Sequence, residues 1–232
     1  MNENKVIVAL DFADAASARE FVNKTSPESC KLKIGKELFT AAGPSLVEEF
    51  VNLGYDVFLD LKFHDIPNTV KKAVISATKL GIWMLNVHAL GGSDMLKAAR
   101  DGLEYAGSQR PFLIAVTVLT SLSDQDLQRL GFRHSLVELV NQLADLSIQS
   151  GLDGVVCSAH ETSTLRQTLG DQALLVTPGI RPEWAANDDQ KRIVMPQKAM
   201  QDGSSYLVIG RPITNHKNPI EALSLINQSL IS

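Results

Sequence analysis

The sequence predicts an α/β protein: a (β/α)8 TIM barrel, one domain over residues 1–232. Three observations carry this. Short β-branched runs alternate with helical patterns, there are eight such runs, and no Pro/Ser-rich linker or low-complexity stretch interrupts them. Alternating βα units give a parallel sheet, and eight of them suggest closure into a barrel. The 232 residues suit one such barrel, whose usual length is about 250. A doubly wound open sheet would share the alternation. Its dinucleotide site needs a glycine-rich first βα turn, and that junction here reads LDFADAAS.

The strands are expected at 6–11, 30–35, 56–62, 82–88, 112–118, 153–157, 173–177 and 205–209. Between them the helices carry their own signals. Ser135 followed by Glu138 is a capping box, and it opens a run with Leu136, Leu139, Val140, Leu143 and Leu146 at helical spacing. Ser93 is expected to cap a helix holding Met95, Leu96, Ala99 and Leu103, with Gly107 ending it. Gly54 and Gly81 stand where the helices before the third and fourth strands should stop.

Composition narrows the function classes. A 44% apolar share supports a substantial core. The formal charge of -4 comes with no basic block, which argues against a nucleic-acid track. The N-terminal MNENKVIVALDF lacks the apolar core and cleavage site of a signal peptide. No apolar run approaches the roughly 20 residues of a membrane helix. Cys30 and Cys157 lie in apolar, strand-like segments and read as reduced core thiols, so a cytoplasmic protein is expected. The Cys and His residues show no metal-ligand spacing.

The third strand departs from its apolar type. Strand alternation puts Val57, Leu59 and Leu61 on one face and Phe58, Asp60 and Lys62 on the other. The apolar face suits packing on helices, so Asp60 and Lys62 turn inward at the strand's C-terminal end, where barrel active sites lie. The same reasoning turns Asp11 inward from the first strand. It sets Lys31, Lys33 and Gly35 opposite Leu32 and Ile34 on the second. Buried charges need partners, because desolvating an unpaired ion costs several kcal/mol. A structural salt-bridge lattice would use the same residue types. Four charges on adjacent strand ends, with Asp65 just beyond, favour a site.

Two loops suit a phosphate. Thr177-Pro178-Gly179-Ile180-Arg181 follows the seventh strand and Gly210-Arg211-Pro212-Ile213-Thr214 the eighth. Barrels often bind phosphate there through backbone N–H groups and a helix N-terminus. Gly179 and Gly210 allow close backbone approach, and Arg211 can grip two oxygens at once. The long polar stretch 180–195, IRPEWAANDDQKRIVM, is a candidate lid. His64 and His88 lie beside the proposed site but read as packed or orienting residues. Trp83 is expected to pack at the fourth strand.

The run Asp60-Leu61-Lys62-Phe63-His64-Asp65-Ile66-Pro67-Asn68-Thr69-Val70 resembles the signature of the orotidine 5′-phosphate decarboxylases of bacterial type. The likeness extends through Ala9-Leu10-Asp11, Lys33-Ile34-Gly35, Asn86-Val87-His88, Val118-Leu119-Thr120-Ser121, Gln190 and both phosphate loops. It implies decarboxylation of orotidine 5′-monophosphate (OMP) to UMP, with no metal and no organic cofactor. It also implies a homodimer with shared active sites, in which Lys33, Asp60 and Lys62 meet Asp65 of the partner subunit. By the same resemblance, Asp11 and Lys33 hold ribose hydroxyls with Thr69 of the partner subunit nearby, Thr120 and Ser121 face the pyrimidine, and Pro178 lines its pocket. Gln190, Arg181, Gly210 and Arg211 take the phosphate side. Two alternatives stay open. One is a Mg-dependent decarboxylase of a keto-sugar phosphate, whose relatives carry a carboxylate ligand where this chain has Lys33. The other is a non-catalytic nucleotide-phosphate sensor, against which the unbroken Asp60/Lys62/Asp65 set counts.

Overall fold

The computed structural model describes residues 4–185 and 194–230. Eight parallel strands close into a barrel in sequence order: β1 Val6–Ala9, β2 Lys31–Gly35, β3 Val57–Phe63, β4 Met84–His88, β5 Phe112–Val116, β6 Gly154–Val156, β7 Leu174–Pro178 and β8 Tyr206–Ile209. β8 pairs back onto β1, with Val6 opposite Leu207. All eight expected strands are present.

Alternation divides each strand between two cores. Ile7, Ala9, Phe58, Met84, Ile114, Val176, Tyr206 and Val208 fill the barrel interior. Their sequence neighbours, such as Val8, Leu32, Leu59, Leu85 and Leu207, pack outward among the helices. Lys31 closes the N-terminal end of the barrel: its Nζ lies 2.5 Å from Asp56 Oδ2 and 4.4 Å from the centre of the Trp83 ring. The apolar interior therefore has a floor closed by this ion pair, and a second set of charges lines its C-terminal end.

The connecting helices run α1 Ala15–Val22, α2 Lys36–Ala42, α3 Pro44–Asn52, α4 Pro67–Thr78, α5 Gly92–Gly102, α6 Asp124–Arg129, α7 Leu136–Gln149, α8 Thr162–Leu169, α9 Pro196–Gln201, α10 Arg211–Thr214 and α11 Pro219–Ser229. The Ser135–Glu138 capping box at the start of α7 is present in both directions. Gly54 and Gly81 follow α3 and α4 as expected. The Ser93 expectation fails. A 3-10 turn over Ala89–Gly91 is followed by Gly92 at φ 81°, where α5 begins with no side-chain cap, so Ser93 already lies within the helix. The far end of α5 differs as well. It stops at Gly102, where a side chain would meet the Lys71 carbonyl and Val74 on α4, and a 3-10 stretch carries Gly107 beyond it.

Candidate active site

β3 places the central charges by alternation. Val57 and Leu59 are buried among the helices, Phe58 lies in the barrel interior, and Asp60 opens above it. Asp60 is only 8% exposed, yet it carries three partners. Its Oδ1 accepts from Lys62 Nζ at 2.5 Å and from Asn86 Nδ2 at 2.7 Å, and its Oδ2 lies 3.2 Å from Lys33 Nζ. Burial alone would raise this carboxyl. The charges of Lys33 and Lys62, with the hydrogen bonds from Lys62 and Asn86, outweigh burial and hold it below the usual range. Asp60 therefore stays an anion between two cations, the arrangement a buried charge requires.

Lys62 departs from ordinary strand geometry. Its φ is 52°, the one positive value at a non-glycine residue among the described residues. Such a conformation costs about 1–2 kcal/mol for a residue with a Cβ. The β3–β4 pairing slips at the same place: Leu59 faces Leu85, whereas Phe63 faces Val87. Four steps along β3 thus span two along β4, and residues 60–62 bulge into the mouth of the barrel.

Asp11 follows β1 and lies 3.6 Å from Lys33 through its Oδ1, with its side chain 59% exposed. With Lys33, Asp60 and Lys62 it lines a cavity of about 320 Å³ at the C-terminal end of the strands. Thr120, from the loop after β5, and Pro178, at the end of β7, line the same cavity. Gly179, Arg181, Gly210 and Arg211 close its other side. Gly179 holds φ 79°, a conformation that favours glycine. At Gly210 a Cβ would lie 3.3 Å from both Ala9 Cβ and Asp11 Oδ2. Arg181 is 4% exposed, while Arg211 opens the short helix α10 from the rim. A shallower cavity beyond them is lined by Trp184 and His216, whose rings stand 5.0 Å apart.

Not every expected residue joins this cavity. Ser121 lines the adjoining cavity formed by the loops after β5 and β6. Asp65 and Thr69 are exposed at the start of α4 and do not line the cavity of their own chain. Asp65 accepts from its neighbour's backbone, Ile66 N, at 2.6 Å. Gln190 and most of the expected lid, 186–193, lie outside the described residues. The sequence pattern alone assigns Asn86 no role. Its signal was available: it is the polar residue on the inward face of β4, between Leu85 and Val87. His88 packs against His64 with ring centres 5.4 Å apart, and among the described residues its Nδ1 has no hydrogen-bond partner. Among the described residues no group of three or more His, Cys, Asp or Glu is placed to hold a metal ion.

Fold and cavity together define a class: a (β/α)8 barrel with a paired ionic array where the strands end. Comparison with known proteins narrows it. The family model described as orotidine 5′-phosphate decarboxylase / HUMPS family matches residues 4–226. The orotidine 5′-phosphate decarboxylase of Pseudoalteromonas atlantica is 55% identical over 230 residues, covering 99% of this chain and 100% of the relative. That of Hahella chejuensis is 57% identical over 222 residues, covering 96% and 95%. The crystal structure of orotidine 5′-phosphate decarboxylase from Lactobacillus acidophilus superposes with a TM-score of 0.90 at 41% identity, covering 99% of this chain and 100% of that one. The chain belongs to the orotidine 5′-phosphate decarboxylase / HUMPS family.

Proposed function

We propose that this protein decarboxylates OMP to UMP and carbon dioxide, a step of pyrimidine biosynthesis. The observation that carries the reading is the Lys33–Asp60–Lys62 array at the barrel mouth, in a chain whose full-length relatives at more than half identity are orotidine 5′-phosphate decarboxylases. Loss of carbon dioxide from C6 leaves a carbanion in the ring plane, with no neighbouring carbonyl to delocalise it as an enolate. Lys62, as an ammonium, answers both needs. It attracts the charge developing at C6 and then transfers its proton there. Asp60 lies beside the departing carboxylate, whose charge it opposes. The fixed ion pairs of Asp60 with both lysines spare the site reorganisation during reaction. No cofactor is required by this scheme, and Lys33 stands where a metal-dependent relative needs a carboxylate.

The phosphate belongs at the other side of the cavity, on the Gly179 and Gly210 loops, with Arg211 and Arg181 as cations and the N-terminus of α10 below. Gln190 would join them from the 180–195 lid. Asp11 and Lys33 lie at the ribose position between these ends, and Thr120, Ser121 and Pro178 at the pyrimidine. Asp65 and Thr69, exposed on their own chain, complete the site of a second subunit in a homodimer. The whole chain serves as one barrel domain, working in the cytoplasm with its two buried thiols, Cys30 and Cys157, reduced.

The test is the loss of orotidylate absorbance on adding purified protein. Wild type should consume it, with undiminished rate in excess EDTA. Lys62→Ala should lose activity by about 10⁴-fold or more while still binding UMP. Comparable turnover in that variant would remove Lys62 as proton donor. A rate lost to EDTA and restored by Mg²⁺ would overturn the metal-free scheme.

A further inference from the structure

Asn86 is 1% exposed and lies where β3 leaves the β4 ladder. Its two amide ends meet two different parts of the ionic array. Oδ1 accepts from the backbone N–H of Lys62 at 2.8 Å, and Nδ2 donates to Asp60 Oδ1 at 2.7 Å. The amide has one workable orientation. Turned over, it would set NH2 against an N–H and a carbonyl oxygen against a carboxylate. Asn86 thus supplies the acceptor that the slipped ladder denies to Lys62, at the residue whose φ is 52°. The same Asp60 oxygen receives both Asn86 Nδ2 and Lys62 Nζ.

We propose that Asn86 is a positioning residue for decarboxylation, setting the Lys62 backbone and the Asp60 carboxylate together so that the ammonium points at the reacting carbon. The inference rests on the decarboxylase reading and deepens it. Asn86 need not touch the substrate, because it acts through Lys62 and Asp60. Buried amide bonds at both ends leave the pair one arrangement. Without them the bulge can relax toward a regular strand, swinging Lys62 Nζ off target. A displacement of about 1 Å at a reacting group can cost about a hundredfold in rate.

The substitution Asn86→Asp separates positioning from bulk. Its shape is nearly unchanged, but the ionised carboxylate opposes Asp60 and has no hydrogen to donate. The protonated form does what the amide does: O–H donates to Asp60 and C=O accepts from Lys62 N–H. The charged or titratable groups facing this position are Asp60 and Lys62 on β3, Lys33 on β2 across Asp60, and His88 on β4 itself. On β5 its register partner is Ile114, which is apolar. Burial and the Asp60 carboxylate resist ionisation of the introduced carboxyl, while Lys62 and Lys33 favour it; because Asp60 already takes both ammonium groups, the second carboxyl keeps its proton to higher pH than Asp60 does.

The experiment measures kcat and KM for OMP from pH 5 to 8.5 in wild type, Asn86→Asp and Asn86→Ala, with thermal melts of each. Asn86→Asp should gain kcat as pH falls, through an ionisation absent from wild type. Asn86→Ala should fold and lose kcat by roughly ten- to a hundredfold, with KM changed far less and no new ionisation. A wild-type pH profile in Asn86→Asp overturns the inference, as does wild-type kcat in Asn86→Ala. If neither variant folds, Asn86 is a folding residue and the proposal fails. If Asn86→Asp alone fails to fold, the kcat-against-KM split in Asn86→Ala decides. A wild-type protein that leaves orotidylate unchanged removes the decarboxylase reading itself, before any variant is compared.

Discussion

His88 shows what burial beside a cluster of cations does to a histidine. Burial first, then the positive surroundings of His64, Lys36 and Lys62, push its imidazole down to about 4 from 6.5, with Asp60 opposing only in part. It is therefore neutral at working pH, and neutrality suits a ring packed near two lysines. The sign of its linkage follows. Between about 4 and 6.5 the unfolded chain holds a proton here that the folded chain refuses. Its contribution is complete above the unfolded value and falls as pH drops through that window. The urea midpoint should decline from pH 7 to 4.5, and by less in His88→Gln; an equal decline in both would refute a neutral, buried His88. At this scale the sequence was informative wherever alternation decides direction. Asp60, Lys62 and Lys33 were legible because each is a charge on the inward face of an otherwise apolar strand. The positive φ of Lys62 was not. Neither glycine nor asparagine marks it, and the bond that its N–H makes to Asn86 is tertiary, invisible to local pattern.

At the scale of elements, strands were easier to read than helix ends. β-branched runs separated by crossovers fix where strands lie, whereas a helix start is contested between alternative local bonds. Ser135 won its contest because Glu138 bonds back to it; Ser93 lost because α5 starts one residue before it, at Gly92. The loops after β7 and β8 were legible through Gly179, Gly210 and their arginines, and the folded chain sets all four around one cavity. Their proposed task is to hold a phosphate that does not react but whose binding energy serves the chemistry. Arg211→Ala should lose about 1.5–3 kcal/mol of transition-state stabilisation toward OMP, roughly ten- to a hundredfold in kcat/KM. Toward orotidine, which lacks the phosphate, the same variant should match wild type. Equal losses on both substrates would place Arg211 elsewhere in the mechanism.

At the scale of the whole molecule, the proposed array draws on two chains. Lys33, Asp60 and Lys62 are paired within the cavity, whereas Asp65 stands exposed at the start of α4 with Ile66 beside it 67% exposed. No reading of one chain could assign Asp65 a role, because its proposed neighbours belong to another copy. An exposed carboxylate beside an exposed isoleucine is the kind of rim that a twofold interface covers, each copy giving its partner what it receives. Shared sites make a counting prediction. Lys62→Ala and Asp65→Ala homodimers should each be nearly inactive. After unfolding and refolding together in equal amounts, about half the dimers are mixed. In a mixed dimer one site carries both substitutions and the other carries neither. The mixture should therefore regain about a quarter of wild-type activity per site. If Asp65 served its own chain, every site would carry one substitution in either kind of dimer, and mixing would restore nothing.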